Sequence, residues 1–220
     1  MNTAAPKKRV AILISGRGSN MMSLVQAACA PDYPAEIVAV LSNRPKATGL
    51  IWARDQGIET ISLDHQGFES RVCFDQALHE ALEAVGAEIV ACAGFMRLMT
   101  PKLVKRWHNR MVNIHPSLLP AFKGLNTHDR VLAAGVRITG CTVHVVRPEM
   151  DTGPILGQAA VPVFNSDTTE VLAERVLTAE HRLYPQILSL FAAERYDINQ
   201  EVAHLKEDCA DGSILLSPNV

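Results

Sequence analysis

Short apolar runs bounded by glycine or turn residues alternate along this chain with stretches of helical spacing. Arg9 to Ser15, Glu36 to Ser42, Ile58 to Leu63 and Glu88 to Ala93 are the runs, and the most continuous of them have the character of strands buried on both faces of a parallel sheet. Between them Met21 to Ala30, Thr48 to Gln56 and Glu69 to Val85 have helical spacing, the last two stopped by Gly57 and Gly86. A further helix begins near Thr100-Pro101. Met111 to His115 is a fifth strand, ended by Pro116, which donates no N–H and pushes its predecessor toward extended backbone. A short helix to about Ala134, strands over Thr139 to Val146 and Ile155 to Val163, and a long helix from Thr168 to about Ala192, capped by Ser166 or Asp167, complete the pattern. Repeated βα units predict an α/β fold: a single-domain, doubly wound, mostly parallel, Rossmann-like sheet with ligands bound at the carboxyl ends of its strands. The predicted division is a flexible N-terminus over residues 1–8, the domain over 9–193, and a tail or hairpin over 194–220 packed on that domain.

Three connections should then crowd one edge of the sheet. Gly16-Arg17-Gly18-Ser19-Asn20 follows the first strand and opens a helix, an arrangement in which backbone N–H groups and the helix dipole bind an anion. A tight turn capped by Ser19 or Asn20 accounts for the same residues, and the loop has neither G-x-G-x-x-G nor the lysine of a P-loop. Gly94 to Met99 follows the fourth strand and carries Phe95, Met96, Leu98 and Met99, which either line a flat apolar pocket or plug the top of the sheet. In Met111 to Pro120 the period of two puts Asn113 and His115 on one face and Val112 and Ile114 on the other. That pair is either a reacting pair or two hydrogen-bonded core residues. Asp151, in the turn-rich stretch Arg147 to Pro154, either forms a turn or orients the His115 imidazole and stabilises its cation.

No side-chain nucleophile accompanies these groups, since Ser117 and Cys141 sit in neither G-x-S-x-G nor a cysteine-protease signature. The parts fit direct acyl-type transfer, with an amide donating to a developing oxyanion and a histidine moving the proton. Composition narrows the setting. With 220 residues, 48% hydrophobic and 20% charged, the chain reads as a globular protein; a formal net charge of -2 gives a nucleic-acid partner no electrostatic support. The apolar run after the basic start is too short for a signal peptide or a membrane span. Five scattered cysteines without C-x-x-C spacing predict reduced thiols in a cytoplasmic protein, and neither they nor the eight histidines show metal-ligand spacing.

Five segments in order carry a resemblance. Ser15 to Asn20 (S-G-x-G-S-N), Ala93 to Leu98 (A-G-F-M-R-L), Asn113 to Pro120 (N-I-H-P-S-L-L-P), Asp151 to Pro154 (D-x-G-P) and Ala179 to Pro185 (A-E-H-x-x-Y-P) together resemble the phosphoribosylglycinamide formyltransferases of de novo purine synthesis. The resemblance spans about Arg9 to Ile187. It implies that Asn113, His115 and Asp151 are the catalytic group, that Gly18, Ser19 and Asn20 hold the phosphate of the ribosylglycinamide, and that Glu180 meets its glycine amine end. It further implies 10-formyltetrahydrofolate as co-substrate, with Arg71 at its glutamate tail and Met96, Arg97, Leu98, Met99, Asn113 and the Arg147 to Asp151 loop around the pterin. Small-molecule substrates, no metal, no nucleic acid, no membrane, and a monomer or homodimer go with it. Asn126 stands where the family often has a histidine, and it carries no proton near neutral pH. Related enzymes that formylate initiator tRNA or hydrolyse formyltetrahydrofolate share the N-I-H-P-S-L-L-P segment. They are expected to carry an extra carboxyl-terminal or amino-terminal domain for which the chain leaves no room. A non-catalytic nucleotide- or folate-binding module is the remaining reading.

Overall fold

The computed structural model describes residues 6–207. The outer parts of the predicted N-terminus and tail, residues 1–5 and 208–220 with Cys209, lie outside the described residues. In chain order the elements are β1 (Lys8–Ile14), α1 (Ser19–Ala28), β2 (Ala35–Ser42), α2 (Thr48–Asp55), β3 (Glu59–Ser62), α3 (Arg71–Ala84), β4 (Ile89–Cys92) and α4 (Pro101–Arg106). They continue with β5 (Met111–His115), α5 (Thr127–Ala134), β6 (Ile138–Val145), β7 (Ile155–Pro162), α6 (Thr169–Ala192), β8 (Tyr196–Asn199) and β9 (Val202–Leu205).

Seven strands form one sheet in the order β3-β2-β1-β4-β5-β6-β7. Strands β1 to β5 pair in parallel; β6 runs antiparallel to β5, and β7 antiparallel to β6. From β1 the chain winds outward through β2 and β3, then returns to place β4 on the other side of β1. The strand order therefore reverses between β1 and β4, the kind of switch point beyond whose carboxyl ends ligands bind in open α/β sheets.

The alternation of β1 builds both layers. Val10, Ile12 and Ile14 pack with Met21 and Leu24 of α1 and Tyr184 and Leu188 of α6. Ala11 and Leu13 face the opposite way, toward Phe74, Leu78 and Leu82 of α3 and Leu103 of α4. This two-sided burial is the cause of the unbroken apolar run. Helix α6 is capped by Thr168, whose hydroxyl accepts from Val171 N–H, one or two residues later than the predicted Ser166 or Asp167. Asp167 instead binds the Arg175 guanidinium at 2.7 Å through both oxygens and accepts from Phe164 N–H.

Tyr184 ties α6 to the sheet. Its buried hydroxyl lies 3.0 Å from the Cys92 carbonyl and 3.3 Å from that of Val112, at the adjoining strands β4 and β5. Tyr184→Phe keeps the ring and removes the donor, so it is expected to cost about 1 to 2 kcal/mol. Urea unfolding of both proteins checks this; an unchanged midpoint would show that the hydroxyl contributes nothing net.

Beyond α6, β8 and β9 form an antiparallel hairpin, and the Tyr196 hydroxyl donates to the Leu156 carbonyl of β7 at 2.8 Å. No helix among the described residues is long and apolar enough to cross a membrane.

Candidate active site

At the carboxyl end of β5, Asn113 and His115 face the same way, and His115 is only 5% exposed. Its Nε2 lies 3.0 Å from the Phe122 carbonyl and its Nδ1 3.4 Å from Asp151 Oδ2. A carbonyl only accepts, so Nε2 carries a proton. The other nitrogen faces the Asp151 carboxylate. Asp151, its side chain 9% exposed, is held there by Gly124 N–H, which donates to Oδ2 at 2.8 Å. The backbone of Asp151 is left-handed at φ 54, a conformation that aspartate tolerates better than most residues.

His144 completes the cluster, and the sequence did not reveal it. The β5–β6 ladder sets it opposite Asn113, with Nε2 3.3 Å from the Asn113 amide nitrogen and 3.7 Å from Asp151 Oδ1. Burial pushes its imidazole below the usual histidine range; the Val145 carbonyl and the Asp151 charge oppose this. A neutral ring that donates Nδ1–H to the Val145 carbonyl at 3.1 Å leaves Nε2 to accept from Asn113. That fixes which end of the Asn113 amide carries N–H. The missed signal is one of register: alternation marked Thr139 to Val146 as a strand, but only antiparallel pairing with β5 puts His144 beside Asn113. Asn126, exposed and left-handed at φ 53, starts α5 without capping it through its side chain.

The cluster forms one end of a cavity of about 410 Å³. Met96, Arg97, Leu98 and Met99 line it from the loop after β4, with Leu125 and Met150 opposite. Met96, Leu98, Leu125 and Met150 are all exposed at its rim, so this loop lines a pocket and does not plug the sheet. The Arg97 guanidinium stacks over the Phe74 ring at 4.5 Å. Arg147 lines the cavity too, but its guanidinium is bonded to Asn109 and Glu201. Arg71 stands exposed in the first turn of α3, after its cap Ser70, and does not line the cavity.

After β1, Gly18 is the N-cap of α1, left-handed at φ 71, and a Cβ there would stand 2.9 Å from Met21 Cε. Neither Ser19 nor Asn20 caps the helix, which removes the capped-turn explanation and leaves the first amides of α1 without a side-chain partner. The Asn20 amide instead donates to Glu180 Oε2 at 2.7 Å. Glu180 is 6% exposed, against the usual solvated place of a helix carboxylate, because α6 packs on α1. Ser15 joins the two loops: its hydroxyl accepts from Met96 N–H at 2.8 Å and donates to Asn43 Oδ1 at 2.6 Å.

Burial raises the Glu180 carboxyl above its ordinary value of 4.5, opposed by the Asn20 bond. A raised acid in the folded state means that stability is lost as pH climbs from about 4.5 through the raised value. Glu180→Gln keeps an acceptor for Asn20 and removes this loss. The variant is expected to melt higher than the parent at pH 8 and about equally at pH 4; a lower melting temperature at pH 8 would contradict the sign.

A glycine-started helix, an apolar cavity and a cluster of Asn113, His115, His144 and Asp151 at the strand ends fit an enzyme class that passes an acyl group directly between two bound substrates. A sequence profile described as Formyl transferase matches residues 8–188. Phosphoribosylglycinamide formyltransferase of Escherichia coli is 39% identical over 196 residues, covering 89% of this chain and 92% of that protein. The crystal structure of glycinamide ribonucleotide transformylase 1 from Symbiobacterium toebii superposes with a TM-score of 0.88 at 42% identity, covering 90% of this chain and 94% of that one. The trifunctional purine biosynthetic protein adenosine-3 of Bos taurus is 47% identical over 206 residues, 92% of this chain; the chain spans 20% of the length of that relative. The chain belongs to the phosphoribosylglycinamide formyltransferase family of formyl transferases.

Proposed function

We propose that this chain transfers the formyl group of 10-formyltetrahydrofolate to the amine of phosphoribosylglycinamide, giving phosphoribosyl-N-formylglycinamide and tetrahydrofolate, a step of de novo purine biosynthesis. The observation that carries the proposal is the meeting of His115 with Asp151, and of Asn113 with His144, on the wall of the apolar cavity. The amine nitrogen attacks the formyl carbon, the C–N10 bond then breaks, and a proton passes from the amine to N10. Asn113, its amide oriented by His144, donates to the oxyanion of the tetrahedral intermediate. His115 supports the same oxygen and moves the proton, while Asp151 orients the imidazole.

The acceptor phosphate rests on Gly18, Ser19 and Asn20, with the positive end of α1 behind them, and Glu180 receives the amine end. The pterin lies in the cavity between Met96 to Met99 and the Arg147 to Asp151 loop. The exposed Arg71 is available to a glutamate tail at the surface. The reaction as written uses no metal ion and takes small-molecule substrates. It suits a cytoplasmic monomer or homodimer. Dialysed protein supplied with 10-formyltetrahydrofolate, with and without phosphoribosylglycinamide, tests the proposal by absorbance. Tetrahydrofolate should appear only with the acceptor; release without it would mark a hydrolase, and no release with it would mark a binding module.

A further inference from the structure

The hairpin of β8 and β9 lies beyond residues 8–188, the span matched by the formyl transferase profile. Its turn, Gln200 and Glu201, is left-handed at φ 50 and 62, and it delivers the Glu201 carboxylate to Arg147 Nε. Arg147 Nη2 donates to Asn109 Oδ1 at 2.7 Å, and Nη1 to the Val146 carbonyl at 3.2 Å. The Arg147 side chain is 9% exposed, although its Glu201 partner is 60% exposed. Arg147 opens the loop that ends in Asp151. The far end of that loop is fixed by close backbone packing: a Cβ at Gly153 would stand 1.7 Å from the Val145 carbonyl oxygen and 3.1 Å from Arg147 Cγ. The stem of Arg147 thus lies close to Gly153, two residues after Asp151, and its head is bonded to two separate turns.

We propose that Arg147 is a positioning residue through which the C-terminal hairpin holds the Asp151 loop in register with His115, and so that the hairpin is a working part of the site. The reason is conformational. Asp151 sits in a left-handed conformation that persists only when its surroundings over-determine it. Gly124 N–H fixes its carboxylate and Gly153 fixes the end of the loop, and Arg147 supplies the remaining anchor at the start. A guanidinium committed to Asn109 and Glu201 is a tether for protein, which differs from the pterin contact that the family resemblance implies at this position.

This inference rests on the proposed reaction for its kinetic readout, so its test also uses one that needs no turnover. Arg147→Ala, Arg147→Lys, Glu201→Ala and the double Ala variant are compared in steady-state kinetics and in hydrogen exchange of residues 146–153 in the unliganded protein. Arg147→Ala should lower kcat about tenfold with acceptor KM unchanged, as a small misplacement of a reacting group does. Arg147→Lys should recover part of the loss, and Glu201→Ala should lower kcat about twofold to threefold. The double variant should be no worse than Arg147→Ala, and exchange in the loop should quicken in both Ala variants. A raised donor KM with unchanged kcat would overturn the proposal in favour of direct ligand contact. Independent, multiplying losses or unchanged exchange would overturn it as well. If Arg147→Ala does not fold, Glu201→Ala, which removes only an exposed carboxylate, carries the same test. A parent protein that transfers no formyl group rejects the reaction, while the exchange experiment still decides on the tether.

Discussion

His115→Ala is expected to lower turnover on the order of a thousandfold while leaving the fold intact, the size of effect associated with loss of a positioned proton-transfer group. The imidazole faces both the cavity and Asp151; His144 shares that setting, but its Nε2 is turned to Asn113 and burial pushes its titration below the usual histidine range. The structural cost is small because the space vacated adjoins an open cavity from which water can reach the Phe122 carbonyl. Substrate KM values should move by less than the turnover. Rates near those of the parent, in a variant with an unchanged melting temperature, would remove His115 from the mechanism.

Asp151→Asn should cost about a hundredfold, an effect of charge rather than shape. Asparagine tolerates φ 54 and can still accept from Gly124 N–H, so the loop keeps its form. What is lost is the negative charge 3.4 Å from His115 Nδ1 and 3.7 Å from His144 Nε2. Because that charge partly offsets the effect of burial on His144, the His144 imidazole should titrate still lower in the variant. Asp151→Ala should be worse than Asp151→Asn, since alanine loses the Gly124 bond and sits less easily at positive φ. Equal rates for parent and Asp151→Asn, measured beside proton NMR titration of His144, would show that the carboxylate only shapes the turn.

Local periodicity made much of this legible. Met111–His115 forms the strand as read, because two-residue alternation and a terminating proline are properties of the segment itself. The βα alternation likewise gave the doubly wound sheet and the three loops on one edge. What escaped depends on contacts between distant segments. His144 needed the antiparallel register of β6 on β5, and the burial of Glu180 needed α6 against α1. Arg147 lines the cavity, and its bond to Glu201 needed the hairpin turn. The cap of α6 was misplaced by one or two residues because Ser166, Asp167 and Thr168 are all good caps, and only the pairing of Asp167 with Arg175 decides among them. Asp151 illustrates the mixed case. Its type and loop suited two roles, and the fold brought it to His115.

In the proposed reaction the formyl group passes directly from folate to a bound amine, with His115 moving the proton and no covalent intermediate on the chain. Formyl-labelled 10-formyltetrahydrofolate, followed by carbon-13 NMR with phosphoribosylglycinamide present, tests it most directly. The label should appear in the formamide of the acceptor, one for one with tetrahydrofolate released, and should do so about a thousandfold more slowly in His115→Ala. Label recovered as free formate, or retained on the protein, would rule out direct transfer.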